Sequence, residues 1–283
     1  PTAGLSTVLS TSRSERKLEL IGIFDSGLGG LSALSEVRRL LPDEDITYFG
    51  DTGRVPYGGR SRETIIKYAL QDMRFLMTKH IDAVLVACGT VSSTAIDILR
   101  EEYPKLPIIG VVDPAARVAV RATRNKRVGI IATTTTIASH SFERELHALD
   151  PELELCPVAC PLFVPLVENG FISPDDEVTL LVAKRYLEPI QKSGADTLIL
   201  GCTHYPIISR TIAKVLPDVN IVSSSKAAAE ELAAKLRSMG NTGGGGRTEY
   251  YVSDEPVGFE ATASIFLETE LSDRVTRIDI EKY

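Results

Sequence analysis

What most constrains the fold of this chain is a long-period internal repeat. The segment DAVLVACGT at 82–90 returns as DTLILGCTH at 196–204, each opening on Asp, crossing apolar residues and reaching a cysteine six positions on. The likeness continues upstream, where LIGIFDS at 20–26 is echoed by RVGIIAT at 127–133 and ITYFGDTGRVP at 46–56 by LELCPVACPLFVP at 153–165. Counterparts stay 107 to 114 residues apart. Solenoid repeats recur every roughly 20 to 50 residues, so this spacing implies two similar units rather than an array. The 283-residue length agrees, because domains commonly fall near about 100 to 150 residues.

Short continuous apolar runs such as LIGIF, AVLVA, RVGIIA and TLILG alternate with helical patterns such as RETIIKYALQDMRFLMTKH. Uninterrupted apolar strands separated by helices predict parallel sheets covered on both faces. The expected fold is therefore α/β, with two similar domains of mostly parallel sheets flanked by helices, related by a pseudo-twofold axis. The expected division is 20–114 plus 224–283 for the first domain and 115–223 for the second, with 1–19 a flexible N-terminal segment. The tail from NTGGGGRT at 241–248 reads as a flexible turn followed by strand, helix and strand, and is expected to pack on the first domain. In such sheets ligands bind beyond the carboxyl ends of the strands. Asp25, Cys88, Thr133 and Cys202 stand at those ends, two per half, which predicts an active site in the cleft between domains.

A net charge of −7 gives no basic footprint for nucleic acid. No apolar run reaches the roughly 20 residues that span a bilayer, so the expectation is a cytoplasmic protein without a membrane partner. Four cysteines in a chain of this length do not read as a disulfide framework.

The glycine-rich DSGLGGLS at 25–32 lacks the third glycine of a dinucleotide fingerprint, where Ser32 stands, and lacks a Walker lysine. What remains is a turn whose backbone N–H groups suit a small anion, with Ser26 as a hydroxyl donor. Asp25 either holds a substrate ammonium or caps the following helix. Taken singly, Cys88 and Cys202 read as buried hydrophobes. Taken together, each precedes a helix start whose dipole lowers thiol pKa, and His204 adjoins the second. Zinc is the rival, with Cys202, His204, Cys88 and Cys156 or Cys160 as ligands, but no C-x-x-C pair is present and proton chemistry ranks above it.

FDSGLGGLS, VPYG at 55–58, ACGT around Cys88, PLVENG at 165–170 and GCTHYP at 201–206 together resemble the glutamate racemases of the aspartate/glutamate racemase family. The resemblance implies a cofactor-independent isomerase that interconverts L- and D-glutamate and supplies D-glutamate for peptidoglycan, working as a homodimer. It implies Cys88 and Cys202 as acid and base, with Asp25 and His204 assisting. The expected substrate-binding set is Asp25, Ser26, Pro56, Tyr57, Gly58, Gly89, Thr90, Thr133, Thr136, Thr203 and His204, with Glu168 supporting and no metal. One position departs: the family usually has Asn after the first cysteine, and this chain has Gly89. A racemase for aspartate or a related acid, and a non-catalytic two-lobed amino-acid-binding module, are the alternative readings.

Overall fold

A computed structural model describes residues 20–240, 243–267, 271 and 273–283. The expectation for 1–19 and that for Asn241 and Thr242 lie outside the described residues. Among the described residues, ten strands form two sheets. They are β1 (Leu20–Asp25), β2 (Asp45–Gly50), β3 (Ala83–Val86), β4 (Ile108–Ile109), β5 (Arg127–Ala132), β6 (Glu154–Ala159), β7 (Thr197–Leu200), β8 (Asn220–Ser223), β9 (Thr248–Val252) and β10 (Val275–Arg277). The first sheet runs β10-β9-β2-β1-β3-β4 and the second β6-β5-β7-β8. All pairings are parallel. Within the first sheet, β2-β1-β3-β4 has the strand order of the whole second sheet, which is the repeat in three dimensions.

Central strands explain their own sequences. Every residue of β3 and β7 is buried, as are the last five of β1 and of β5. A strand covered on both faces has no solvent side to mark with polar residues, hence the continuous apolar runs. Helix Arg62–Met77 starts where the Ser61 hydroxyl accepts from the Thr64 N–H, and helix Glu177–Ser193 where Asp176 accepts from the Thr179 N–H. The latter stops at Gly194, which takes φ 68°. Helix Ser224–Ser238 buries Ala228, Leu232 and Leu236 against Leu31, Leu34 and Val37 of helix Leu31–Leu40, in a core that continues to Leu198 and Leu200 of the second sheet.

The tail extends the first sheet, β9 pairing with β2 and β10 with β9. Its glycine run differs from the flexible turn expected. Gly243 donates to Glu44 Oε1 (2.9 Å), Gly244 to the Asp43 carbonyl (2.7 Å), and Gly245 and Arg247 to Asp45 Oδ1 (3.0 and 2.8 Å). Glycines let the backbone lie close enough for these N–H groups to be satisfied, so this stretch docks rather than swings.

Candidate active site

The carboxyl ends of both sheets open onto one cavity of about 510 Å³. That volume is within the range of small-molecule sites. Its wall repeats the repeat. The first half contributes Ser26 and Gly27 after β1, Val55 to Gly59 after β2, and Cys88, Gly89 and Thr90 after β3. The second half contributes Thr133 and Thr134 after β5, Pro161, Val164, Pro165 and Glu168 after β6, and Cys202, Thr203 and His204 after β7. Three strand ends per half thus supply the lining in corresponding positions. No Lys or Arg is among these residues, so a substrate carboxylate here would rely on backbone N–H groups, hydroxyls and the imidazole.

On the first wall, Cys88 caps helix Gly89–Thr94, and its Sγ lies 3.5 Å from Ser26 Oγ. Burial and the neighbouring Asp25 carboxylate push this thiol up to about 12. That corrects the expectation of a thiol lowered by its helix: the helix is six residues long, and desolvation outweighs it. Asp25 is itself buried, and burial raises its carboxyl, partly offset by the charge of His204 and by backbone N–H donors. Its Oδ2 accepts from the Gly27 N–H at 3.0 Å, and its Oδ1 has no partner among the described residues. It does not cap the next helix, whose N-cap is Gly30 without a side-chain bond.

The second wall is built differently. Cys202 Sγ is 3.8 Å from His204 Nδ1, and His204 Nε2 is 2.9 Å from Glu168 Oε1. Burial pulls the imidazole down, but the bonds and charges of Cys202 and Glu168 overcome it and lift the ring to about 10. At neutral pH the ring therefore carries its proton. Phe266 packs edge-on against it at 5.4 Å between ring centres, fixing its plane.

The two halves are stitched around the cavity. Thr90 Oγ1 and Thr133 Oγ1 are 3.1 Å apart, and the Gly58 carbonyl accepts from Thr135 through both N–H (3.2 Å) and hydroxyl (2.7 Å). Ser32 Oγ donates to the Thr203 carbonyl at 2.8 Å. Glycine permits two further approaches: a Cβ on Gly29 would meet Thr203 Oγ1 at 2.2 Å, and one on Gly89 would meet the Gly201 carbonyl oxygen at 2.3 Å.

Behind the loop that carries Pro56, Tyr57 and Gly58 lies a buried ionic cluster that sequence reading missed. Arg54 reaches Asp51 (2.6 Å), Asp72 (2.9 Å) and Gln71 (2.6 Å), and stacks 4.1 Å above the Tyr68 ring. The Tyr57 hydroxyl donates to Asp51 and to Asp72, tying the loop to the cluster.

Of the residues singled out from sequence, Ser26, Pro56, Tyr57, Gly58, Cys88, Gly89, Thr90, Thr133, Glu168, Cys202, Thr203 and His204 line the cavity. Asp25 and Thr136 do not. Asp25 lies beneath the Ser26–Gly27 turn, and Thr136 backs Thr133 with its hydroxyl 3.0 Å away. Gly27 belongs to the glycine-rich turn read as suited to a small anion; missed were Val55, Gly59, Thr134, Pro161, Val164 and Pro165. A signal existed for the last three: CPLFVP follows β6 as GDTGRVP follows β2, so both should have been read as wall. Among the described residues, no group of three or more His, Cys, Asp or Glu is placed to hold a metal ion.

The profile of the Asp/Glu/hydantoin racemase family matches residues 34–232. The chain belongs to that family. Among its relatives is a glutamate racemase from a Sulfurihydrogenibium species, 43% identical over 261 residues, covering 92% of this chain and 98% of the relative. The crystal structure of glutamate racemase from Francisella tularensis in complex with D-glutamate superposes with a TM-score of 0.88 at 38% identity, covering 94% of this chain and 99% of the other. That from Thermus thermophilus in complex with β-chloro-D-alanine gives 0.84 at 42% identity, with coverage of 94% and 99%. The chain is thus an isomerase of the glutamate racemase family, and the two parallel sheets are its fold. No helix among the described residues is long and apolar enough to cross a membrane.

Proposed function

We propose that this chain interconverts L- and D-glutamate by moving a proton at Cα between Cys88 and Cys202, with no cofactor. The observation that carries the reading is the placement of these two thiols, one from each half of a repeated architecture, in the wall of one cavity. An amino-acid Cα–H is very weakly acidic, so the site must stabilise the carbanion left when it breaks. The available groups are the backbone N–H groups of the two strand-to-helix turns and the hydroxyls of Ser26, Thr90, Thr133 and Thr203. The protonated His204 adds positive charge.

In one direction Cys202, beside the imidazolium, takes the α-proton to form its S–H bond. Cys88 then breaks its own S–H bond to protonate the opposite face. In the other direction the roles exchange. Burial and, after it, the Asp25 carboxylate hold the proton on Cys88, and a substrate ammonium docked against this wall would offset the carboxylate's field and favour the thiolate. Asp25 and Thr136 then act from behind the lining, and Glu168 acts through His204. Stitching at Gly58 and Thr135 must open for substrate to enter and close to exclude water. In a cell that builds peptidoglycan, the product would serve as its D-glutamate source.

Circular dichroism of L- and D-glutamate incubated with the protein, with aspartate as control, tests the reading. Either enantiomer of glutamate should decay to an equal mixture while aspartate changes at least about tenfold more slowly, given what pocket fit discriminates. Calorimetric binding of glutamate without loss of optical activity would contradict catalysis and favour a two-lobed binding module.

A further inference from the structure

Three consecutive serines, Ser223, Ser224 and Ser225, stand at the start of helix Ser224–Ser238, and the first of them caps it: the Ser223 hydroxyl accepts from the Lys226 N–H. Serine inside a helix competes for backbone partners and gives little packing in return, so the other two call for another explanation. Ser224 Oγ donates to the Leu200 carbonyl at 2.7 Å, at the end of β7. Ser225 Oγ lies 2.9 Å from Ser32 Oγ, which donates to the Thr203 carbonyl at 2.8 Å. A serine hydroxyl has one proton, so with that proton committed to Thr203, Ser32 accepts and Ser225 donates. The carbonyls on either side of Gly201 and Cys202 are thus held by buried hydroxyls of two helices, Leu31–Leu40 and Ser224–Ser238, that pack on each other. None of these three serines lines the cavity.

We infer that Ser32 and Ser225 are positioning residues of the second wall, whose linked hydroxyls aim the turn bearing Cys202 and His204 by holding the Thr203 carbonyl. The inference rests on the two-thiol reading above. In a trans peptide the His204 N–H points opposite to that carbonyl, so one hydrogen bond sets the plane of the whole unit. Thr203 is buried, and a buried carbonyl that loses its donor is costly enough to turn toward another. The residues that turn with it, Thr203 and His204, stand in the cavity wall. The imidazole then leaves the place where its Nδ1 lies 3.8 Å from Cys202 Sγ. Cys88 is held separately, by Ser26 and by its own helix, so the disturbance falls on one thiol. Cys88 still takes an α-proton, exchanges it with solvent and returns one to the same face. Removal and delivery on the Cys202 face become slow.

The experiment is Ser32→Ala, Ser225→Ala and the double variant in the full chain, with kcat and KM for L- and D-glutamate and deuterium at Cα of recovered substrate in D2O. Ser32→Ala should lose about 10- to 100-fold in kcat, with KM changing less, the scale expected when a reacting group is misplaced by roughly 1 Å. Ser225→Ala leaves the Thr203 donor in place and should lose only severalfold. The double variant should match Ser32→Ala, because the Ser225 hydroxyl acts only through Ser32. In each, deuterium in recovered substrate should become biased toward the enantiomer that Cys202→Ser exchanges without inverting. Parent-like kcat in Ser32→Ala would overturn the inference, as would losses that add in the double variant. Exchange that falls equally for both enantiomers would also overturn it, being the mark of general loosening. If Ser32→Ala does not fold, Ser225→Ala carries the test, and parent-like kcat or unbiased exchange there would overturn the inference. If Cys202→Ser itself kept full racemisation, the fault would lie in the two-thiol reading instead.

Discussion

The two cysteines occupy corresponding places in a repeated unit, two residues past β3 and two residues past β7, yet their surroundings differ in sign. Cys88 has a buried carboxylate and a hydroxyl as neighbours, and its thiol is pushed up to about 12. Cys202 has an imidazole lifted to about 10 and backed by Glu168. Duplication supplies geometric symmetry, which suits a reaction whose substrate and product are mirror images. The side chains grafted on it break that symmetry, so the resting enzyme holds a proton on the first wall and a positive charge on the second. The loop behind each wall differs too: the first leans on the ionic cluster of Arg54, the second on the apolar and proline-rich segment after β6.

Apart from replacing the thiols themselves, the largest expected effect comes from neutralising the second wall. His204→Asn should lower racemisation by about 10²- to 10³-fold, in line with the loss of one general acid–base partner. Because the enantiomers have equal energy, kcat/KM must fall equally in both directions, which a progress-curve assay checks. The same variant has a stability signature. A group raised from 6.5 to about 10 on folding contributes stability that is full below pH 6.5 and is lost as pH rises through about 10. Parent protein should therefore lose on the order of a few kcal/mol across that window, and His204→Asn should show a flatter profile in urea unfolding at stepped pH. Equal slopes would break the contrast between the walls.

Next in size is the support of the first wall. Arg54→Met leaves Asp51 and Asp72 buried without their cation, and breaking such a pair costs about 3 to 5 kcal/mol. Urea midpoints should fall accordingly, and KM should rise as the Tyr57 loop loosens; an unchanged midpoint would show that the cluster anchors nothing. The smallest effect is expected from Glu168→Gln. It removes one of the two groups that lift His204, so the alkaline limb of the pH–rate profile should move down from near 10 with about a tenfold loss of rate.

The sequence reveals much of this because buried parallel strands write continuous apolar runs, and because a repeat with constant offset survives wherever strand ends must carry chemistry. Cys88, Thr133 and Cys202 were legible as strand-end residues for that reason. The Arg54 cluster was not, since its members at 51, 54, 71 and 72 meet only when helix Arg62–Met77 folds back over the loop after β2. Charge sign at each sulfur was also hidden. Position at a helix start argues for a lowered Cys88, whereas burial beside Asp25 decides the opposite, and burial is a property of the packed protein. The docked glycines at 243–246 and the Arg247 that follows show the same limit: composition reads as freedom, while Asp43 and Asp45 supply the partners that remove it.

The central claim, one thiol for each face of Cα, is tested most directly by Cys88→Ser and Cys202→Ser, each incubated with L- and with D-glutamate in D2O and read by proton NMR. Each variant should lose racemisation by at least about 10³-fold. Each should still wash deuterium into a single enantiomer without inverting it, and the two variants should choose opposite enantiomers. Parent-level racemisation in either variant, or exchange of the same enantiomer by both, would contradict the account.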